Sequence, residues 1–418
     1  MKYDIAIIGG SLGGVRAAIK ACESGKKVYM CEETDWIGGQ LTSQGVPPDE
    51  HKWIEEFGAT KSYLDYRKKV RNYYQSLPEA SDLMKSKEHF CPGNSWVTRV
   101  AHEPKVALKI FNDELKPFLK NGSLTLEYFT VAVDADVQNQ MIFSVEVKNI
   151  STEKSKVIEA KYFLDATDCG DLLPIVKAEY RTGAEAKSET NELHAPDVAN
   201  PFDMQPTTVV AALELNPDGD YKIEKPEMYD YFSELGVPYS DNKLFSWYCP
   251  DAETKGKELF SFYDNELPEN PLGLWSYRRI IDTKNYTDGR KEVSLMNIPQ
   301  NDFSLGNIYE DAASAVNRHL AREQTLSMVY WLQNDAPRKD GGKGYPVKLR
   351  TDIFDTDDGL AKAPYIRESR RIVAKKIICE QDVSRAANEK PKVFEDSVGV
   401  GHYAVDIHLT TKTHTFFY

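Results

Sequence analysis

Residues 4–32 constrain the fold more than any other stretch of the chain. Asp4-Ile5-Ala6-Ile7-Ile8 is a short apolar run of the kind a strand buried on both faces requires. Gly9-Gly10-Ser11-Leu12-Gly13-Gly14 follows it directly. Val15, Ala18, Ile19 and Cys22 then fall at i, i+3, i+4 and i+7, one face of a helix that Gly25 ends. Lys27-Val28-Tyr29-Met30-Cys31 is a second strand, with Glu32 and Glu33 at its end. Strand, glycine turn, helix, strand and acid, in that order, is the layout of a dinucleotide site on a parallel sheet. Gly9 allows the tight turn and Gly14 lets the helix pack on the strand. Ser11, Leu12 and Gly13 open a helix whose free amides and positive dipole end suit a diphosphate. Glu32 is placed to accept from ribose hydroxyls. Ser11 replaces the middle glycine of the usual G-x-G-x-x-G pattern; it is small enough to keep the close approach, and its hydroxyl adds a donor.

A second small-residue loop, Asp35-Trp36-Ile37-Gly38-Gly39-Gln40-Leu41, begins right after the acids. Paired glycines let a flat ring system approach backbone without side chains in the way. The pair looks like the two-glycine loop of FAD-binding oxidoreductases, which makes FAD the expected dinucleotide. Gly341-Gly342-Lys343-Gly344 follows polar residues rather than a strand, so a dedicated NAD(P)H domain is not expected.

The rest of the chain narrows the class. Fifty-two basic against 65 acidic residues leave a net charge of −13, a poor footprint for sequence-independent nucleic-acid binding. No apolar run reaches the roughly 18 residues of a membrane helix, and the N-terminus lacks signal-peptide features. The six cysteines are dispersed with no CxxC, which argues against zinc, a disulfide framework and a dithiol; no metal site is expected. A cytoplasmic location is the expectation.

The organisation reads as α/β: a Rossmann-like FAD-binding domain with a β-meander, plus an inserted α+β substrate domain. The FAD-binding segments are placed at 1–46, 105–185 and 352–418, with a helical loop region near the flavin at 47–104 and the substrate domain at 186–351. Residues 48–90 read as helical. Pro104 to Lys120 is a helix with proline near its start and Asn121-Gly122 at its end, and Ala312 to Gln333 is another. Between Ser123 and Leu164 the pattern is β, ending in Asp165-Ala166-Thr167.

The order of motifs resembles the FAD-dependent oxidoreductase family with a glutathione-reductase-like FAD domain and a fumarate-reductase-like arrangement, some of whose members are labelled xanthan lyase. The stretches that carry the resemblance are Ile7 to Gly14, Trp36 to His51, Pro92 to Val97, His102-Glu103-Pro104, Phe163 to Leu173, Tyr277-Arg278-Arg279, Asn297 to Asp302, Pro364 to Arg371 and Gly399 to Tyr403. It implies FAD, redox chemistry, a small-molecule substrate and an electron acceptor that stays open, as does the oligomeric state. Ala166 and Thr167 match the family's Ala-Thr-Gly, whose glycine is Asp168 here. The chain stops at Thr415-Phe416-Phe417-Tyr418, where such flavoproteins add a further strand and a glycine-bearing helix, so a shortened C-terminal region is the expectation.

For chemistry, a substrate oxidation needs a base, often histidine. His51, beside Glu50 just past the glycine loop, and His402, in a late β-like segment, are the candidates. His102 and His408 are weighed beside them. Arg367 and Arg370, with Arg371, surround Glu368; guanidinium matches carboxylate bidentately, so they form a candidate anion clamp, with ion pairing as the plainer reading. The expected activity is FAD-dependent oxidation of a small, anionic organic substrate with hydride transfer to flavin. The alternatives are reduction of an activated double bond and a redox-silent nucleotide-binding protein.

Overall fold

The computed structural model describes residues 2–251, 253–390, 392–397 and 405–415. The chain divides into two compact units, residues 1–44, 107–201 and 366–390, and residues 45–106, 202–365 and 391–418.

The first unit is built on one six-stranded sheet. Its strands are β1 (Lys2–Ile8), β2 (Val28–Cys31), β3 (Leu124–Glu127), β4 (Thr130–Gln138), β5 (Met141–Asn149) and β6 (Ser155–Asp165), in the order β3-β2-β1-β6-β5-β4. β1 pairs in parallel with β2 on one side and β6 on the other, with Ile7 opposite Met30 and Leu164. β5 runs antiparallel to both β4 and β6. Ala6, Ile7, Ile8 and all of β2 are buried, which is why these runs are apolar without alternation. Helix α1 (Leu12–Glu23) packs on β1 and β2 through Val15, Ala18, Ile19 and Cys22. Helix α2 (Pro104–Lys120) contributes residues 107–120 to this unit, Phe111 among its buried side chains.

This topology fixes where a ligand can bind. From β1 the chain moves through α1 to β2 on one side, while β6 lies on the other, so the carboxyl end of β1 is a switch point. Gly9 leaves the sheet there, beside Glu32 at the end of β2 and Ala166 at the end of β6.

The second unit holds a four-stranded antiparallel sheet of β7 (Ala211–Leu215), β8 (Arg279–Ile281), β9 (Val293–Met296) and β10 (Val347–Leu349), in the order β8-β9-β7-β10. Helix α3 (Ser314–Asn334) packs on it. A core of Leu213, Phe232, Phe262, Met296, Met328 and Leu332 joins them. Within 48–90 helix is confined to Lys61–Gln75 and Asp82–Ser86, and residues 52–58 form turns and a bend. The reason is tertiary. Glu50 turns inward to pair with Arg67, and Gly58 adopts φ +80° with no room for a side chain beside the His51 ring.

Candidate functional site: a glycine cradle at the end of the first strand

Three of the motif glycines are required by contact. Gly9 has φ +100°, and a Cβ there would lie 2.2 Å from the Ala166 carbonyl oxygen. At Gly14 a Cβ would lie 2.4 Å from the Gly9 oxygen and 3.1 Å from the Ala166 Cβ, so this glycine sets the distance between α1 and the strand. Gly10 is held against Glu32, whose Oε2 accepts from the Gly10 amide at 2.9 Å. Gly13 differs: the nearest protein atom to a Cβ there is Ser11 Oγ, 3.8 Å away, and the residue is exposed. The structure around Gly13 does not demand glycine; open space at a helix N-terminus does fit a diphosphate approaching the backbone. Ser11 caps α1, its hydroxyl accepting from the Gly14 amide at 3.4 Å, and Leu12 is the first helical residue.

The second glycine loop is tied to the first. The Gly38 amide donates to the Gly10 carbonyl at 2.7 Å. Gly38 has φ +109° and lies against Phe111 and Thr42. Gly39 has φ +51°, and a Cβ there would lie 3.2 Å from Ser11 Cα and 3.3 Å from Asp168 Oδ1. Gln40 is half-buried on the short 3-10 turn that follows. Together these glycines form a cradle that side chains would fill, which is the fit expected of residues that hold FAD.

Glu32 is bonded within its own loop. Its Oε1 accepts from the Thr34 amide and hydroxyl while Oε2 accepts from Gly10. Burial pushes its carboxyl up, and those hydrogen bonds oppose the shift. Glu33, next in the chain, is exposed. The end of β6 is equally organised. The Ala166 amide donates to Ile8, and the Thr167 hydroxyl donates to Asp165 while accepting from the Asp171 amide. Asp168, which sequence reasoning noted only as a departure, has its carboxyl pushed up to about 7 by burial and by the charges of Glu32 and Glu33.

The arginines of 367–371 are engaged. Arg370 donates to Asp171 Oδ1 at 2.7 Å and to the Cys169 carbonyl at 2.9 Å, bracing the turn that follows Asp168. Arg371 pairs with Glu368 and with Glu185. Arg367 is half-buried.

In the second unit, His51 Nδ1 accepts from the Trp53 amide at 3.3 Å, and its ring lies near Trp53 and Phe57. His102 is buried and neutral: Nδ1 donates to the Glu103 carbonyl, so Nε2 must accept, and Tyr66 donates to it at 2.6 Å. Burial pushes this imidazole down to about 4. His402 lies outside the described residues. His408, which the sequence offered only as a lesser candidate, has a partner that sequence reasoning missed. Its Nδ1 is 2.7 Å from Asp302 Oδ2, Thr208 donates to the other oxygen of Asp302, and Nε2 is 3.3 Å from Asp406. The available signal was Asp302 closing the Asn297 to Asp302 motif.

A family model described as FAD dependent oxidoreductase matches residues 4–417, and the chain belongs to that family. Its cofactor is accordingly FAD. No curated protein matches significantly. Among solved structures, the chain is similar to L-proline dehydrogenase from P. horikoshii (15% identity, 44% of this chain and 24% of that one, TM-score 0.23). It is similar to a myxobacterial chondrochloren halogenase (14%, 53% and 45%, TM-score 0.25). It is similar also to glycerol-3-phosphate dehydrogenase from Bacillus halodurans (11%, 51% and 40%, TM-score 0.29). The chain thus spans about a quarter to a half of these proteins, and at such scores they carry neither fold nor activity across to it. Among the described residues no helix is long and apolar enough to cross a membrane.

Proposed function

We propose that the protein oxidises a small organic substrate, with the glycine cradle of the first unit holding FAD as the hydride acceptor. When bound, FAD supplies a two-electron acceptor for a hydride. The α1 amides hold the diphosphate, Glu32 the adenosine ribose, and Gly38 and Gly39 admit the cofactor to bare backbone. The cradle, open at Gly13 beside the helix N-terminus, is the observation that carries the reading. An anionic group on the substrate would be met by Arg367 and Arg370, the latter releasing Asp171 to do so.

The test is anaerobic mixing of the flavin-loaded protein with small alcohols and amines, each with and without a carboxylate. Bleaching of the visible flavin band by one class, faster for its carboxylated members, supports the reading. No bleaching by any, together with reoxidation of the reduced protein by an activated alkene, contradicts it and gives the reductase direction.

A further inference from the structure

Asp168 stands where its family relatives' Ala-Thr-Gly motif would place glycine, and it puts a carboxyl group inside a site for an anionic cofactor. A point one Cβ length from Gly39 is 3.3 Å from Asp168 Oδ1 and 3.2 Å from Ser11 Cα, so this carboxyl flanks the start of α1 across the space that Gly39 keeps open. The segment is braced from both ends: the Ala166 amide donates to Ile8, and Arg370 grips the Cys169 carbonyl and Asp171. The charges that act on Asp168 are unfavourable to a carboxylate. Glu32 ends β2, Glu33 follows it, and Asp171 lies in the next turn. Gln44 donates to it from the glycine loop, and the guanidinium of Arg370 is committed to Asp171. Burial and the charges of Glu32, Glu33 and Asp171 push the carboxyl up to about 7 against the opposing Gln44 hydrogen bond, before any cofactor is present. A diphosphate brings further negative charge into the same space, and like charges disfavour ionisation.

We propose that Asp168 is a proton-carrying acid of the FAD site: it meets the cofactor in its neutral form and donates its O–H to an anionic cofactor oxygen, so that binding FAD takes up one proton from solvent. This rests on the cradle being the FAD site. A neutral carboxyl is a donor, whereas a carboxylate only accepts and would repel the diphosphate. Binding is therefore linked to pH through this one side chain. Below its midpoint affinity is flat, and above it affinity falls by up to about tenfold per pH unit.

The experiment is FAD titration of the full chain from about pH 6 to about pH 8.5, with calorimetry near pH 8 in two buffers of different ionisation heat. The expected result is weaker binding above about pH 7 and uptake approaching one proton per FAD. Asp168→Asn, which keeps an N–H donor and cannot ionise, should bind FAD with flat pH dependence and no uptake, and more tightly than the native protein at the alkaline end. Native protein that binds FAD with pH-independent affinity and no proton uptake overturns the proposal, and that measurement needs no variant. Absence of FAD binding at every pH overturns the cofactor site as well, which separates the two failures.

Discussion

The Asp302 carboxylate meets His408 Nδ1 at 2.7 Å, although 106 residues separate them in the chain. The side chain of Asp302 is nearly buried, and Thr208 donates to its second oxygen, so the pair is oriented from behind. His408→Asn takes the ring from a nearly buried carboxylate, and Asp302→Asn weakens the acceptor of both His408 and Thr208, so each should cost about 1–3 kcal/mol and lower Tm. FAD affinity measured by flavin fluorescence should stay at the native value in both. An unchanged Tm in both variants would show that the pair does not hold the segment around His408.

Gly13 and Gly14 are adjacent and should answer substitution in opposite ways. Gly14→Ala drives a Cβ to within 2.4 Å of the Gly9 oxygen, so α1 must move off the strand. A loss of about 1–3 kcal/mol in stability is expected, seen as a lower Tm without FAD. Gly13→Ala meets nothing closer than 3.8 Å and gains helix propensity, so its Tm should hold or rise. Its Cβ occupies the approach to the helix N-terminus, and FAD affinity should fall. A Gly13→Ala protein that binds FAD normally would mean that the diphosphate does not sit there.

Glu32 bonds its own loop and, in this account, the cofactor. Glu32→Ala removes an acceptor from Gly10 and Thr34, so some loss of Tm is expected alongside a loss of about 10- to 150-fold in FAD affinity, the worth of a hydrogen bond to a charged group. Titration of Glu32→Ala with FAD and with free flavin mononucleotide checks this. Only the adenosine-bearing ligand should lose affinity selectively.

Asp168 also sets a pH dependence of stability in the absence of cofactor. Its carboxyl titrates near 7 when folded against 3.8 in the open chain. Between those values the folded state holds the proton that the unfolded chain has released, so stability falls as pH rises from about 4 to about 7 and stays low above. The cost above the upper value is on the order of a few kcal/mol. Asp168→Asn should therefore raise Tm clearly at about pH 8 and hardly at about pH 4. An equal shift at both would assign the effect to packing.

The parts of the fold that were legible in the sequence are those set by local rules. The run from Asp4 to Glu32 declares strand, turn and helix because each element buries one apolar face and the turn needs glycine at Gly9 and Gly14. Helix α2 spans Pro104–Lys120 as its proline start and Asn121-Gly122 end foretell. Residues 48–60 read as helical and are not: Glu50 is drawn inward by Arg67, a contact no periodicity contains. The Asp302–His408 pair was illegible for the same reason, since each residue is an ordinary polar side chain until the chain folds. Asp168 was visible as a departure from a motif. Its neighbours Glu32, Glu33 and Asp171, which give it chemical meaning, come from the end of β2 and the turn after β6.

Arg370 decides between bracing and substrate recognition. Bound to Asp171 and to the Cys169 carbonyl, it holds the turn after β6. Arg370→Lys keeps the charge and loses the fork. If the arginine is a brace, Tm falls and KM for carboxylated and uncarboxylated substrates changes alike. A rise in KM confined to carboxylated substrates would instead establish the anion clamp.

The central claim is that the turn from Gly9 to Gly14 holds the diphosphate of FAD. Parallel titrations of the full chain with FAD and with riboflavin, which has the same ring but no diphosphate, test it most directly. The account predicts one FAD per chain and riboflavin bound at least about tenfold more weakly, with Gly13→Ala narrowing that difference while the Glu32 contact to the adenosine ribose keeps part of it, since a charged hydrogen bond to the diphosphate is worth at least that much. Equal affinity for the two ligands, or a preference for FAD that Gly13→Ala leaves intact, would contradict it.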